Sequence, residues 1–250
     1  MLSELSGTAL VTGGGRGIGE NIARELAAAG MQVAVTGRSA EQVERVAGEI
    51  HGRPLVGDVS KREDVARWAV EAGDVDLLVC NAGISGPQDP LADPEEWWQT
   101  FEINVLGVYL CNHAFAPRMI ERGGGRIVNV ASGAAYQPMG GMPPATAYTA
   151  SKAAVHRFSE VLAYSLAPQN VFVFSISPGL VRTEMTKRYP DSLPWTPPEC
   201  APRLVRGLAG GEFDLLAGRY LHAENDPPES LRDRIGEIRE NDLNAIRLRR

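Results

Sequence analysis

The chain has 250 residues, 44% hydrophobic and 22% charged, which excludes a disordered segment or a collagen-like fibre. A net charge of −6 leaves no basic footprint for nucleic acid or an anionic membrane. The three cysteines, Cys80, Cys111 and Cys200, are odd in number and lack C-x-x-C spacing, so the expectation is a reducing, cytoplasmic setting without disulfides or zinc.

Met1-Leu2-Ser3-Glu4-Leu5 lacks the basic start of a signal peptide. No apolar run approaches the ~20 residues of a membrane helix. Thr8 to Thr12 reads as a short buried strand running into a glycine cluster. Ile18, Ile22, Ala23, Leu26 and Ala29 then recur at helical spacing until Gly30. The alternation continues with strands at Gln32–Thr36, Pro54–Gly57 and Val75–Cys80, and with helices at Ala40–Ile50 and Glu63–Ala72. A long helical stretch from Pro94 to Phe115 and beyond follows. A strand at Arg126–Val130, a helix at Ala147–Leu166 and a strand at Val171–Ile176 complete the pattern. Repeated β-α units with apolar strands predict an α/β fold: one doubly wound Rossmann-type domain, with a parallel sheet of about seven strands covered by helices on both faces.

Two segments break the rhythm. Glu184 to Pro202 holds five prolines and no clear period, a long loop of the kind that is usually functional in a compact domain. Residues 227–250 turn charged, with Leu231, Ile235, Ile238, Leu243 and Ile246 near helical spacing. They read as a helical tail docked by one face rather than a second domain, with residues 1–226 as the catalytic unit. The basic tip Arg247, Arg249 and Arg250 reads as a solvated end.

Thr12-Gly13-Gly14-Gly15-Arg16-Gly17-Ile18-Gly19 lies between a strand and a helix, where a dinucleotide pyrophosphate rests on helix amides. The spacing is T-G-x-x-x-G-x-G, with the same physical needs as the commoner glycine fingerprint: a tight turn, close approach of backbone to phosphate, and close helix–strand packing. An NAD-binding chain keeps an acid at the end of the second strand for the ribose hydroxyl. Here Val35-Thr36-Gly37-Arg38 carries none. Arg38 and Arg16 suit a 2′-phosphate, which guanidinium binds in bidentate fashion, so NADP(H) is expected over NAD(H), which is still possible.

Further on stand Asn81-Ala82-Gly83, Asn104, Ser132, Tyr148-Thr-Ala-Ser-Lys152 and Pro178-Gly179. With the glycine turn, these motifs in this order resemble the short-chain dehydrogenase/reductase family from about residue 7 to residue 183. The resemblance implies an oxidoreductase that moves a hydride between a nicotinamide and a ketone or secondary alcohol. It implies Tyr148 as acid/base, Lys152 as the group lowering its pKa and holding the ribose, Ser132 as the hydroxyl orienting the carbonyl, and Asn104 as the anchor of a relay water. Gly13, Arg16, Gly17, Ile18 and Gly19 would hold the pyrophosphate end, Asp58 and Val59 the adenine, and Asn81, Ala82 and Gly83 the middle of the cofactor. Pro178, Gly179, Val181 and Thr183 match the stretch that cups the nicotinamide. The resemblance also implies a homodimer or homotetramer acting on a small molecule, with no nucleic-acid or membrane partner.

The chemistry has its own logic. Tyr148 and Lys152 are four apart on one helix, hence on one face. A free phenol titrates near ~10, and a neighbouring ammonium is expected to draw it down toward neutrality. His51, His113, His156 and His222 do not pair at metal-ligand spacing, and Asn112 reads as a surface or capping residue.

The interval from Ser132 to Tyr148 is longer than the family's usual one by the apolar stretch Pro138 to Pro144. With Met185, Tyr189, Leu193 and Trp195 it predicts an apolar lid and a bulky, apolar substrate. The family's usual Asp-Gly-Gly after the last strand, Gly218–Ala223, is replaced by Glu224-Asn225-Asp226-Pro227-Pro228, which puts a standard tetramer in doubt.

Overall fold

Strands that are apolar at nearly every position must be covered on both faces. The computed structural model, which describes residues 4–138 and 145–248, shows that arrangement. The strands are β1 (Thr8–Thr12), β2 (Gln32–Gly37), β3 (Arg53–Val56), β4 (Leu77–Cys80), β5 (Gly125–Val130), β6 (Val171–Ser177) and β7 (Tyr220–His222). They form one sheet, ordered β3-β2-β1-β4-β5-β6-β7, with every pair parallel.

The helices are α1 (Gly17–Ala28), α2 (Ala40–Glu49), α3 (Arg62–Glu71), α4 (Pro94–Phe101), α5 (Gly107–Glu121), α6 (Thr146–Leu166), α7 (Cys200–Ala209) and α8 (Pro228–Glu240). Alternation along each strand sorts side chains to two cores. Val11, Val35, Val79, Phe174 and Leu221 pack with α1, α2, α7 and α8. Leu10, Leu78, Ile127 and Val173 pack with α3, α5 and α6, around Trp68 and Phe115. Each such fully buried large side chain contributes roughly 1.5–3 kcal/mol.

Strand order reverses between β1 and β4, so the loops after these strands splay apart and leave a crevice at their carboxyl ends. Thr12 holds that crevice together: its hydroxyl accepts the Asn81 amide at 3.0 Å and the Ala82 amide at 3.1 Å.

The structure differs from the sequence reading in three places. The long helical stretch is broken by a π-turn at Glu102–Leu106 between α4 and α5. The proline-rich loop ends early, because α7 begins at Cys200. Pro202 lies in the first turn of α7, where its missing N–H has no intrahelical partner to lose. Beyond α8 the chain turns back along the sheet. Tyr220 donates its amide to the Asn244 carbonyl at 2.8 Å, and Asn244 Nδ2 donates to the Tyr220 carbonyl at 3.0 Å. The tail thereby covers part of the outer edge of β7, where unpaired strand groups would invite association. Arg247, expected as part of a solvated end, pairs with Glu160 and Asp242, each at 2.7 Å. Arg249, Arg250 and the stretch 139–144 expected in the lid lie outside the described residues.

Candidate active site

At the crevice, Gly13 (φ +64) and Gly17 (φ +58) occupy the left-handed region, which glycine adopts without steric cost. Gly19 is required for another reason. A Cβ there would lie 2.5 Å from Asn81 Nδ2 and closer still to the Gly13 carbonyl oxygen. Asn81 Nδ2 donates to the carbonyls of Thr12 at 3.0 Å and Gly13 at 3.3 Å, so it braces the turn from the neighbouring strand. Arg16, extended at the N-cap of α1, makes no side-chain cap, which leaves the first-turn amides of α1 for an anionic ligand. A Cβ on Gly17 would touch Thr183 Cγ2 at 3.4 Å, so the glycine turn and the Pro178–Thr183 stretch meet across the crevice.

The other sequence-predicted positions follow β3, β4 and β6 or lie in α1. Asp58 Oδ1 accepts from the Ser60 amide at 2.9 Å and the Ser60 hydroxyl at 2.8 Å, which orients its carboxylate after β3. Val59 is buried against Gly107. Ile18 is partly buried against the first core. Ala82 and Gly83 follow β4, and a Cβ on Gly83 would stand 3.1 Å from Asn104 Oδ1 and 3.5 Å from Lys152 Nζ. Pro178 and Val181 are buried, and Gly179 (φ +80) turns the chain between them.

Asn104 is fully buried in the π-turn. Its Oδ1 accepts from the Ile84 amide at 2.9 Å, and its Nδ2 donates to the Ile84 carbonyl and to Ser151 Oγ, both at 3.0 Å. Ser151 Oγ in turn donates to the Tyr148 carbonyl at 2.7 Å. The Asn104 side chain is thus committed to protein partners. Ser132 closes β5 and caps the single turn Gly133–Ala135 by accepting from the Ala134 amide at 3.2 Å. Its hydroxyl also reaches the Tyr148 phenol. Lys152 Nζ, buried, donates to the Val130 carbonyl at 2.8 Å and sits 5.8 Å from the Tyr148 ring centroid.

The electrostatics correct one expectation. The Tyr148 phenol is pushed up rather than drawn down: burial raises it, and the Ser132 hydrogen bond offsets this only in part. Burial also lowers Lys152, to about 8. The physical reason is shared, because a dry site disfavours phenolate and ammonium alike.

Arg38 is exposed directly before Ser39, the N-cap of α2, and Arg16 is exposed at the mouth of the turn. Neither guanidinium makes a hydrogen bond or salt bridge with another described residue. Arg45 is committed elsewhere, to Glu20 and to the Gly15 carbonyl.

Sequence reasoning passed over several residues. Asn112, read as a surface or capping position, is buried, and its Nδ2 donates to the Val108 carbonyl at 2.8 Å and Asn129 Oδ1 at 3.0 Å. Thr196, buried in the proline-rich loop, accepts from the Leu180 amide at 3.2 Å and donates to Glu224 at 2.7 Å. Tyr189, expected in the lid, comes near enough to Tyr148 to raise its pKa further. A threonine beside prolines offers no local signal of such a role.

The sequence profile of the short chain dehydrogenase family matches residues 7–193. The chain belongs to the short-chain dehydrogenase family. Among its relatives, a short chain dehydrogenase of Pseudocercospora fijiensis is 36% identical over 190 residues, which cover 71% of this chain and 60% of that one. The short chain dehydrogenase mpl6 of Monascus purpureus is 35% identical over 259 residues, covering 95% of this chain and 87% of that protein. The crystal structure of a 3-ketoacyl-(acyl-carrier-protein) reductase from Brucella melitensis complexed with NADH superposes with a TM-score of 0.80 at 32% identity, covering 86% of this chain and 95% of that one. This short-chain dehydrogenase carries a single Rossmann-type sheet of seven parallel strands. Among the described residues, no helix is long and apolar enough to cross a membrane.

Proposed function

We propose that this chain is a cytoplasmic NADP(H)-dependent oxidoreductase of the short-chain type, acting on a ketone/secondary alcohol pair of a bulky, apolar metabolite. The observation that carries the reaction is the convergence of Ser132, Tyr148, Lys152 and Asn104 beside the β1/β4 crevice. The glycine turn fits a dinucleotide there, because a Cβ on Gly19 would fill the close approach and no side chain caps α1.

A bound nicotinamide would supply the hydride. In the reducing direction, Tyr148 gives its proton to the carbonyl oxygen, and burial keeps that phenol protonated at neutral pH. Ser132 donates a hydrogen bond where negative charge develops on that oxygen. Lys152, held by Val130, lies beside both the phenol and Gly83 and would hold the ribose. Gly13, Gly17, Ile18 and Gly19 would receive the pyrophosphate. Asp58 and Val59 would flank the adenine, and Asn81, Ala82, Pro178, Gly179, Val181 and Thr183 the nicotinamide half.

Support for the 2′-phosphate comes from Arg16 and Arg38, both exposed, and from the absence of a carboxylate at the end of β2. Met185 and Leu193 are exposed on the 184–199 loop, Trp195 is stacked under Arg182 at 4.3 Å, and Tyr189 is near Tyr148, a set that suits an apolar ligand. Leu106 and Tyr109 near the start of α5, with Val161 and Tyr164 on α6, expose apolar surface suited to a homodimer.

The test is paired titration of NADPH and NADH into the purified protein, with Arg38→Asp alongside. Tighter NADPH binding that the variant erases is the expected result. Equal or tighter NADH binding would overturn the cofactor assignment. Dinucleotide binding without turnover on a broad panel of ketones and alcohols would overturn the catalytic one.

A further inference from the structure

Ser177 ends β6 immediately before Pro178 and is buried. Its Oγ accepts two backbone amides that belong to different parts of the site. One is Gly133 at 3.2 Å, which follows Ser132 and opens the turn that Ser132 caps. The other is Gly179 at 3.3 Å, the left-handed residue of the stretch proposed to cup the nicotinamide. A hydroxyl has two acceptor lone pairs, so one oxygen can serve both amides.

Each segment has a second hold elsewhere. The Ser132 turn is steadied by Tyr136, whose ring meets Tyr220 edge-on at 4.9 Å between centroids. The Gly179 stretch is fastened by Thr196, which pairs with Leu180 through both side chain and backbone. Ser177 is the group that joins the two segments to each other. Among the described residues neither amide has a second hydrogen-bond partner, and an amide left unpaired away from water pulls its segment toward water.

We propose that Ser177 is a positioning residue that sets the register between the Ser132 hydroxyl and the Pro178–Gly179 stretch, and so between the substrate carbonyl and the nicotinamide. The proposal rests on the functional reading above for its kinetic consequence, though not for its structural one. Ser177 acts through the two glycines.

The test compares Ser177→Ala with Ser177→Thr, which keeps the oxygen. Hydrogen exchange on the nucleotide-free protein reads the geometry directly. In the alanine variant the Gly133 and Gly179 amides exchange together, at least ~10-fold faster, while those of Val128 and Phe174 inside the sheet keep their protection. With NADPH and a ketone that the wild type reduces, kcat falls ~10-fold, the NADPH dissociation constant rises, and Ser177→Thr restores both to within ~2-fold. In a Ser132→Ala background the same alanine change lowers kcat by clearly less than in the wild type, because the part of its effect that passes through Ser132 is already lost.

Exchange that accelerates at only one glycine, or at neither, overturns the proposal. So does a full kcat loss in the Ser132→Ala background, which marks a global defect. If Ser177→Ala does not fold, Ser177→Cys keeps the size and weakens the acceptor, and the paired change in exchange reads the same way. A wild type that neither binds dinucleotide nor reduces any ketone defeats the functional reading alone, because the exchange result still decides the role of Ser177.

Discussion

Adding one carbon at Gly19 tests whether the glycine turn is built by close packing. In Gly19→Ala the new Cβ would sit 2.5 Å from Asn81 Nδ2, about 0.9 Å inside ordinary van der Waals contact, and would also overlap the Gly13 carbonyl oxygen. Neither neighbour is a loose side-chain end, since Asn81 Nδ2 is held by the carbonyls of Thr12 and Gly13. Overpacking of this kind costs ~1–3 kcal/mol. Losing one of those hydrogen bonds adds ~1 kcal/mol. A total of ~3 kcal/mol lowers Tm by about 6–12 °C in a chain of this length. The matched control is Gly236→Ala, inside α8 with nothing within 4 Å of the added carbon. Alanine is the better helix former there by ~1 kcal/mol, which raises Tm by about 2–4 °C. Thermal unfolding by circular dichroism reads both, and NADPH titration reads the site, with affinity reduced more than ~10-fold in the first variant and unchanged in the second. A Gly19→Ala protein with wild-type Tm and wild-type NADPH affinity would refute the reasoning, and so would equal destabilisation by both substitutions.

Burial holds the His156 and His222 imidazoles below the ordinary value of 6.5, so the unfolded chain binds their protons more readily and stability falls as pH drops through 6.5 toward 5. Tm measured across that window should decline, and less steeply in His156→Gln; a flat profile would contradict the burial. For nucleotide-free Lys152, with its pKa lowered from 10.5 to about 8, NMR of the labelled side chain should show a midpoint near 8 rather than 10.5. Between those values the unfolded chain holds the extra proton, so this group adds stability as pH rises, and Lys152→Met removes that rise. Asn104→Ala leaves the Ile84 amide and carbonyl unpaired, costing about 2 kcal/mol, so Tm should fall by about 4–8 °C and activity with it; an unchanged Tm would show that solvent replaces the side chain. Tyr164→Asp, on a residue 88% exposed on α6, should shift the protein toward monomer in size-exclusion chromatography with light scattering if α5 and α6 form the dimer face.

Local chemistry determined much of this protein before any tertiary contact. Runs such as Val75–Cys80 and Val171–Ile176 are apolar at nearly every position, which only a sheet covered on both faces accommodates, and the helical spacing between them dictated the alternation. Gly13, Gly17 and Gly19 marked the turn, and Tyr148 and Lys152, one helical turn apart, marked one face of α6. What tertiary structure decided depends on neighbours distant in the chain. In the π-turn, buried Asn104 finds three side-chain hydrogen bonds with Ile84 and Ser151, and nothing in Glu102–Leu106 announces it. The pKa of Tyr148 is set by how much water the fold excludes, which overrode the expectation drawn from Lys152 alone. Asn244 reads as a polar residue in a charged tail until β7 supplies an open edge for it to cover. Ser177 and Thr196 look like ordinary hydroxyls until the fold brings the Gly133 and Leu180 amides to them, because a hydroxyl's partner, unlike a strand's apolar pattern, leaves no trace in its own neighbourhood of the sequence.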